Sequence, residues 1–192
     1  TLSSSSAASD VYKRQCEDGS ENRTGGIAIW SGSSASLNYV TMAFNQYSAV
    51  GLGDEIAFED EEEINLNISS STFFENEDGA IRSHYINGAI NINVNNSIMW
   101  DNGPYEAMLN YSTEMAVSYS NISGNIVIND GVLNMGDGVF SENPYFIDPS
   151  INYFNLHPDS PCIDAGDPNS TYDPDGTIAD IGSHYYHQLS PN

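Results

Sequence analysis

Residues 64–76 read Ile-Asn-Leu-Asn-Ile-Ser-Ser-Ser-Thr-Phe-Phe-Glu-Asn, and residues 90–102 read Ile-Asn-Ile-Asn-Val-Asn-Asn-Ser-Ile-Met-Trp-Asp-Asn. Both stretches alternate apolar residues with asparagine at their start, and both end on an asparagine. Alternation with a period of two is typical of a β-strand that buries one face. The two stretches begin 26 positions apart, which indicates that one structural unit occurs more than once.

The same pattern occurs four times when the chain is aligned on its closing asparagines. These asparagines are separated by 31, 26 and 23 positions, and they are Asn45, Asn76, Asn102 and Asn125. Apolar residues occupy the positions three, eight and ten before each of them. The resulting core columns are Met42, Phe73, Met99 and Ile122; Leu37, Ile68, Val94 and Val117; and Ala35, Leu66, Ile92 and Met115. Shortly after each asparagine, a small-then-apolar pair is expected to open the next strand and to form a further column: Ala49-Val50, Ala80-Ile81, Ala107-Met108 and, more loosely, Val132-Leu133.

A repeat of this length indicates stacked coils, because one unit is too small to bury its own apolar face. The strands are three to five residues long, and helical spacing is absent between residues 25 and 133. We therefore predict an all-β solenoid in which each coil adds one strand to each of about three parallel sheets, as in a β-helix.

The closing asparagines have a structural explanation. Asparagine tolerates the left-handed backbone conformation of a tight corner. Amides stacked at the strand spacing of about 4.8 Å also hydrogen-bond to one another and so satisfy buried polar groups. We expect Asn45, Asn76, Asn102 and Asn125 to form such a ladder rather than to bind a ligand.

Composition restricts the partners of the chain. Its 192 residues include 27 acidic and 4 basic ones, for a net charge of −23. Such a surface repels nucleic acid and anionic membranes, and it suits divalent cations, a saline medium or plain solubility. No apolar run is long enough to span a bilayer. The two cysteines make no disulfide framework, and Cys162 is expected to be a buried free thiol.

The C-terminal blocks give the most specific resemblance. They are Asn143-Pro-Tyr-Phe-Ile-Asp-Pro149, Tyr153-Phe-Asn-Leu-His-Pro-Asp-Ser-Pro-Cys-Ile-Asp-Ala-Gly-Asp-Pro168 and Asp173-Pro-Asp-Gly-Thr-Ile-Ala-Asp-Ile-Gly182. With residues 96–102, they resemble the right-handed parallel β-helix superfamily, the pectate-lyase-like fold, in the closing part of large bacterial secreted proteins. The resemblance implies right-handed coils, an extracellular or cell-surface location, and a monomeric piece of a longer chain.

The sequence divides the chain into three predicted regions. Residues 1–24 are expected to be a disordered tail or, at 1–15, translated adapter sequence; residues 25–142 form the coils; and residues 143–192 form a closing segment and the start of a linker. The acidic stretch 53–63 lengthens the first repeat, and we expect it to be an inserted loop that either builds a binding face or is simply solvated.

The resemblance also implies candidate catalytic residues. Polysaccharide lyases of this fold combine Ca²⁺ with an Arg or Lys base, which removes a proton beside a uronate carboxylate. Arg82 and His84 share a strand face, and Asp101 or Glu106 one coil later completes a small site. The alternative is an exposed Arg82 in an acidic field. A glycosidase would instead use two carboxylates, drawn from Glu75, Asp78, Asp101 and Glu106.

Calcium has a second candidate site. Asp173, Asp175 and Asp180 surround Gly176, a partial match to acidic Ca²⁺ loops, and Asp164 and Asp167 lie near in sequence. The alternative is that Asp173 and Asp175 cap turns.

The aromatic residues are consistent with a sugar-binding surface if they face outward, and with a plain core if they face inward. They are spread over the coils as Trp30, Trp100, Tyr105, Tyr111 and Tyr119. A lyase that acts on an anionic polysaccharide needs positive groups in its cleft, and the coils contain one Arg. We therefore expect a carbohydrate-binding or structural scaffold without a complete active site of its own. A polysaccharide lyase or glycoside hydrolase is the alternative, and an adhesin stalk is a third possibility.

Overall fold

The structure, a computed structural model, describes residues 24–53, 63–84 and 86–188. The predictions for residues 1–15 and for most of the acidic stretch 53–63 lie outside these ranges. The described chain consists of short β-strands and one 3-10 helix at Pro149–Ile151. The strands are β1 Thr24–Ile29, β2 Ser34–Asn38, β3 Thr41–Ala43, β4 Ser48–Leu52, β5 Ile64–Ser69, β6 Thr72–Phe74, β7 Ile81–Ser83, β8 Ile90–Asn95, β9 Ile98–Trp100, β10 Ala107–Asn110, β11 Thr113–Ser118, β12 Asn121–Ile122, β13 Ile126–Asn129, β14 Val132–Met135, β15 Phe146–Asp148 and β16 Tyr153–Leu156.

Fourteen of these strands form three parallel sheets that wrap one core. Sheet 1 has the order β14-β11-β8-β5-β2, sheet 2 the order β1-β4-β7-β10-β13, and sheet 3 the order β12-β9-β6-β3. Neighbours within a sheet are equivalent strands of successive coils. This arrangement confirms the predicted right-handed parallel β-helix. The remaining strands, β15 and β16, pair with each other in antiparallel fashion.

The strand register confirms the predicted core columns. Leu37 pairs with Ile68, and Val94 stands between Ile68 and Val117. Sheet 3 aligns Met42, Phe73, Met99 and Ile122 in the same way. All eight side chains are buried in one continuous apolar cluster. The coils therefore stack on a shared core, as the repeat length requires.

One predicted column is wrong in its last members. In sheet 2 the register aligns Val50, Ile81, Ala107 and Ile126, so Ala107 is the neighbour of Ile81 rather than of Ala80. Val132 and Leu133 belong instead to β14 of sheet 1, where Leu133 pairs with Met115. The physical reason is a shorter corner: in the fourth coil the sheet 2 strand begins at Ile126, directly after Asn125.

The left-handed corners lie one residue earlier than predicted. Phe44, Glu75 and Asp101, which precede three of the closing asparagines, have positive φ angles of 58°, 46° and 54°. The asparagines themselves are outside that region of φ. Asparagine is thus required at these positions for its side-chain hydrogen bonds and not for its backbone tolerance.

Residues 143–188 pack along the side of the coils, on the outer face of sheet 3. The apolar side chains on this outer face form two small clusters with residues of the C-terminal segment. One cluster contains Ile98, Leu156, Cys162 and Ile181, and the other Ala43, Phe74 and Phe154. Hydrogen bonds attach the end of this C-terminal segment to sheet 3, where Ser183 Oγ lies 2.7 Å from Thr41 Oγ1. The closing segment therefore covers one side of the β-helix.

In the part of the chain that the structure describes, no helix has the length and apolar character needed to cross a membrane.

Candidate functional site

The outward side chains of sheet 1 form a flat surface, named here the amide face, in which asparagine and serine predominate. Successive side chains of a strand point to opposite sides, so every second residue of each strand reaches this surface. With strands about 4.8 Å apart and alternate residues about 6.7 Å apart, the face measures roughly 19 by 13 Å. The strand register sets its three rows: Ser34, Asn65, Asn91, Glu114 and Val132; Ser36, Asn67, Asn93, Ala116 and Asn134; and Asn38, Ser69, Asn95 and Ser118.

The amide face is almost free of charge. Within its three rows Glu114 is the one ionisable residue, although the whole chain carries a net charge of −23. Solubility alone does not account for such a surface, because acidic residues serve that purpose better and are abundant elsewhere in this chain. The three central strands of the face are uncharged except at Glu114, and its apolar members, Ala116 and Val132, lie on the last two strands.

Neighbouring amides within a row hydrogen-bond to each other. Asn91 Nδ2 donates to Asn65 Oδ1, and Asn93 Nδ2 donates to Asn67 Oδ1, each at 3.1 Å. A carboxamide has two N–H groups and two lone pairs, so one bond along the row leaves capacity directed outward. A further bond along a row runs from Asn95 Nδ2 to Ser118 Oγ, and one from Asn134 Nδ2 to Glu114 Oε1 links the second row to the first. The rows hold the amides in place while they still present donors and acceptors to a ligand.

A second ladder runs inside the coils. Asn45 Nδ2 donates to Asn76 Oδ1 at 2.6 Å, and Asn76 Nδ2 donates to Asn102 Oδ1 at 2.6 Å. Asn102 Nδ2 then donates to Glu106 Oε2, again at 2.6 Å. These side chains are 2% exposed or less, so their hydrogen bonds satisfy polar groups that water does not reach.

Asn125, the fourth predicted member of the ladder, is not part of it. Its side chain is exposed, and it contributes its backbone carbonyl to the N–H of Glu106. The carboxylate of Glu106 takes the fourth position, and Ser123 Oγ donates to Glu106 Oε1. The exchange occurs at the shorter corner of the fourth coil, where the sheet 2 strand begins directly after Asn125 and Ser123 donates to the carboxylate that ends the ladder.

Glu106, a predicted catalytic residue, is therefore a buried member of the inner ladder. Burial raises the pKa of its carboxyl, while hydrogen bonds from Ser123 and Asn102 oppose the shift. Asp101, also predicted to be catalytic, is exposed at the preceding corner, and its backbone N–H donates to Ser123 Oγ. Neither carboxylate contacts Arg82 in the structure that the described residues form.

Arg82 lies on the outer face of sheet 2, where it forms an ion pair. Its Nη1 is 2.8 Å from Asp78 Oδ2, and both side chains are about one-third exposed. The hydroxyl of Tyr105 donates to the other oxygen of Asp78 at 3.4 Å. Arg82 Nε is buried without a hydrogen-bond partner among the described residues. The carboxylate of Asp78 therefore balances the positive charge of Arg82. The sequence did not predict this contact, because the corner between the two residues is irregular.

His84 and Tyr105 complete this group, named here the Arg82 cluster. Burial lowers the pKa of His84, the charge of Arg82 lowers it further, and the charge of Asp78 opposes the shift, so the neutral imidazole is favoured. Burial also raises the pKa of Tyr105, and Asp78 adds to that shift. The cluster borders an open depression lined by Gln46, Tyr47, Glu77, Asp78 and Arg82.

The three aspartates of the predicted calcium site accept hydrogen bonds from backbone groups. Asp173 Oδ2 accepts from the N–H of Asp180, and Asp180 Oδ1 accepts from the N–H of Asp164. Asp175 Oδ1 accepts from the N–H and hydroxyl of Thr177. The bonds of Asp175 are the turn-capping arrangement considered for that residue, whereas Asp173 bonds to the backbone seven residues further on. Among the described residues, no group of three His, Cys, Asp or Glu side chains is arranged to hold a metal ion, and calcium binding stays a prediction.

The predicted aromatic residues divide between surface and interior. Trp30 and Tyr111 are exposed, whereas Tyr105 is buried. Trp100 is half-buried between sheet 3 and the C-terminal residues. They do not form a continuous aromatic strip, so the amide face is the larger regular surface. The signal for that face was visible in the alternating asparagines of residues 64–69 and 90–95.

Comparison of the chain with family models, with curated proteins and with solved structures found no match.

Proposed function

We propose that this chain is a carbohydrate-binding segment of an extracellular β-helix protein and that a neutral polysaccharide lies on the amide face. The observation that carries the proposal is the chemistry of that face: regular rows of amides and hydroxyls with a single charge, on a strongly acidic protein. Sugar hydroxyls are both donors and acceptors, and carboxamides match them in both capacities. Membership of the pectate-lyase-like superfamily belongs to the same proposal, supported by the parallel β-helix and by the C-terminal blocks.

The rigidity of the face favours binding. Its amides are held by hydrogen bonds along each row and stand on strands that share one core. A ligand therefore meets a surface whose side chains are already ordered, and the entropy cost of association is correspondingly smaller. A neutral polymer also avoids the repulsion that an anionic polymer would experience near a chain of this net charge.

Affinity electrophoresis tests the proposal. The protein is run in native gels that contain one neutral polysaccharide each, such as a glucan, a mannan, a galactan or a xylan, and in gels that contain a polyuronate. The matched variants are the double substitution Asn67→Ala with Asn93→Ala, on the middle row of the amide face, and Arg82→Ala, on the outer face of sheet 2.

We expect at least one neutral polysaccharide to retard the protein and the double variant to bind it about tenfold more weakly. Removing a few hydrogen bonds of roughly 1 kcal/mol each accounts for that factor. Arg82→Ala is expected to bind as the wild type does. The proposal fails if no neutral polymer retards the protein, or if the double variant binds as well as the wild type.

The Arg82 cluster favours a second candidate function, β-elimination on an acidic polysaccharide. The lowered pKa of His84 favours the neutral imidazole, which is suited to accept a proton, and the one-third-exposed guanidinium of Arg82 is the group that would meet a uronate carboxylate. The ion pair with Asp78 at 2.8 Å opposes this function, because the guanidinium already has an anionic partner. Unsaturated chain ends released from a polyuronate, and lost in Arg82→Ala, would favour the lyase over the scaffold.

A further inference from the structure

The C-terminal residues and the corner between sheets 1 and 3 enclose a pocket of about 190 Å³. One wall comes from the coils and includes Ser69, Ser70 and Asn95; the opposite wall comes from the C-terminal residues and includes Thr171 and Asp173. The volume lies below the approximately 300–1,000 Å³ of pockets for drug-sized ligands. A pocket of this size is suited to one sugar ring.

The pocket is continuous with the amide face. Ser69 and Asn95 belong both to the third outward row of sheet 1 and to the pocket wall. Their side chains hydrogen-bond within that row, to Asn38 and Ser118 respectively. A polymer on the amide face therefore passes the mouth of the pocket, where a terminal or branching residue can turn inward.

The lining is polar and carries two aromatic rings. Tyr39 and Tyr185 both line the pocket, and their side chains are 62% and 40% exposed. Tyr185 also makes an edge-to-face contact with His187, with ring centroids 6.4 Å apart. Partly exposed aromatic rings pack well against the apolar side of a sugar ring. Hydroxyls and amides of the walls supply the donors and acceptors that sugar hydroxyls require.

The pocket also holds negative charge. Asp173 and Asp180 both line it, and the backbone N–H groups that bond to Asp180 hold its carboxylate in place. The carboxylates of Asp175 and Asp164 add to the negative potential at Asp173. A third carboxylate entering the pocket on a ligand would meet these groups without an intervening cation from the described side chains. The charge distribution thus selects against uronates.

We infer that this pocket is a subsite for one neutral sugar ring, which stacks on Tyr185 and hydrogen-bonds to the hydroxyl and amide lining, and that it rejects the corresponding uronic acid. The inference deepens the proposed function, on which it rests for the polymer that supplies the ring. The pocket itself binds the free monosaccharide.

An NMR titration of the ¹⁵N-labelled full chain tests this subsite. The probes are glucose, galactose, mannose and xylose, with glucuronate and galacturonate as matched acids. We expect at least one neutral sugar to shift the amide resonances of Ser70, Asn95 and Thr171 with a Kd of about 1–10 mM, as the ligand efficiency of a small molecule allows. Its uronate is expected to bind at least tenfold more weakly.

The matched variants are Tyr185→Ala, at the pocket, and Tyr153→Ala, an exposed tyrosine on β16 outside it. We expect Tyr185→Ala to weaken monosaccharide binding at least fivefold and Tyr153→Ala to leave it unchanged. The inference is overturned if no neutral sugar shifts the pocket resonances, if a uronate binds as tightly as its neutral counterpart, or if both variants behave alike.

The two proposals fail separately. Loss of polymer binding in the double variant Asn67→Ala with Asn93→Ala, with no effect of free sugars on the pocket, supports the amide face and overturns the subsite. Shifts at Ser70 and Thr171 with no polymer binding support the subsite and overturn the polymer site.

Discussion

Replacing Asn76 with leucine tests whether the inner ladder stabilises the coils. The Asn76 side chain is fully buried and takes part in four hydrogen bonds with three residues. It accepts from the backbone and side-chain nitrogens of Asn45, and it donates to Met42 O and to Asn102 Oδ1. Leucine has the same branched shape and number of side-chain heavy atoms but is larger and has no polar atom, so it removes all four bonds and leaves little room for water.

At a net value of about 1 kcal/mol per hydrogen bond, the substitution is expected to lower the free energy of unfolding by about 4 kcal/mol. That is a large fraction of the roughly 5–15 kcal/mol that a domain typically possesses. With a urea m-value of about 2 kcal/mol/M, the midpoint of urea unfolding moves down by about 2 M. Circular dichroism or tyrosine fluorescence follows the transition.

Asn93→Leu is the matched control. Asn93 is exposed on the amide face, and its side chain donates one hydrogen bond of 3.1 Å to Asn67. Its replacement is expected to change the free energy of unfolding by no more than about 0.5 kcal/mol. An unfolding midpoint for Asn76→Leu within error of the wild type, or an equal loss in both variants, would refute the assignment of the inner ladder.

Three further predictions concern the core, the closing segment and the thiol. Val94→Asp places an unpaired charge in the shared core, where Val94 is 2% exposed, and is expected to lower the free energy of unfolding by roughly 5 kcal/mol, while Asn93→Asp on the surface lowers it little. Thermal unfolding measures both, and a Tm for Val94→Asp near that of the wild type would show that the column alignment is wrong. Burial raises the pKa of Asp180 to about 6 from 3.8, so the folded state retains this proton longer than the unfolded state. The associated stability, on the order of 1–3 kcal/mol, is lost as the pH rises from about 4 through 6. Asp180→Asn should flatten this part of the pH dependence measured by urea unfolding, and an unchanged slope would contradict the assignment. Burial raises the pKa of Cys162 to about 11. With Cys16 replaced by serine, so that Cys162 is the one remaining thiol, the native protein should resist thiol reagents at pH 8 and react once unfolded. Rapid labelling of the native protein would contradict this.

The fold was predictable because the repeat acts through short-range alternation and through fixed offsets. The columns of Leu37 and Met42 align as predicted, since each lies a constant distance before a closing asparagine. The error in the Val132-Leu133 pair arose where the corner shortened by only a few residues. Such a change alters which sheet a strand joins while leaving its apolar character intact.

The candidate sites were less predictable, because they depend on contacts between residues that are distant in sequence. No periodic signal connects Asp78 to Tyr105, or Thr171 to Ser70, although the structure brings each pair to one site. Glu106 was expected in a cleft because it is acidic and near a corner, yet its side chain faces inward. At an irregular corner, the direction of a side chain is decided by its hydrogen-bond partners. For Glu106 these are Asn102 and Ser123, which the sequence alone does not identify.

The central claim, that the amide face binds a neutral polysaccharide, is tested most directly by mapping an oligosaccharide onto the protein by NMR. The ligand is a soluble fragment of whichever neutral polymer retards the protein, and the observed signals are the side-chain amides of Asn65, Asn67, Asn91 and Asn93. We predict that these resonances shift together and saturably, while the Nε signal of Arg82 stays in place. Shifts confined to Arg82 and its neighbours, with the amide face unaffected, would contradict the account and move the binding site to sheet 2.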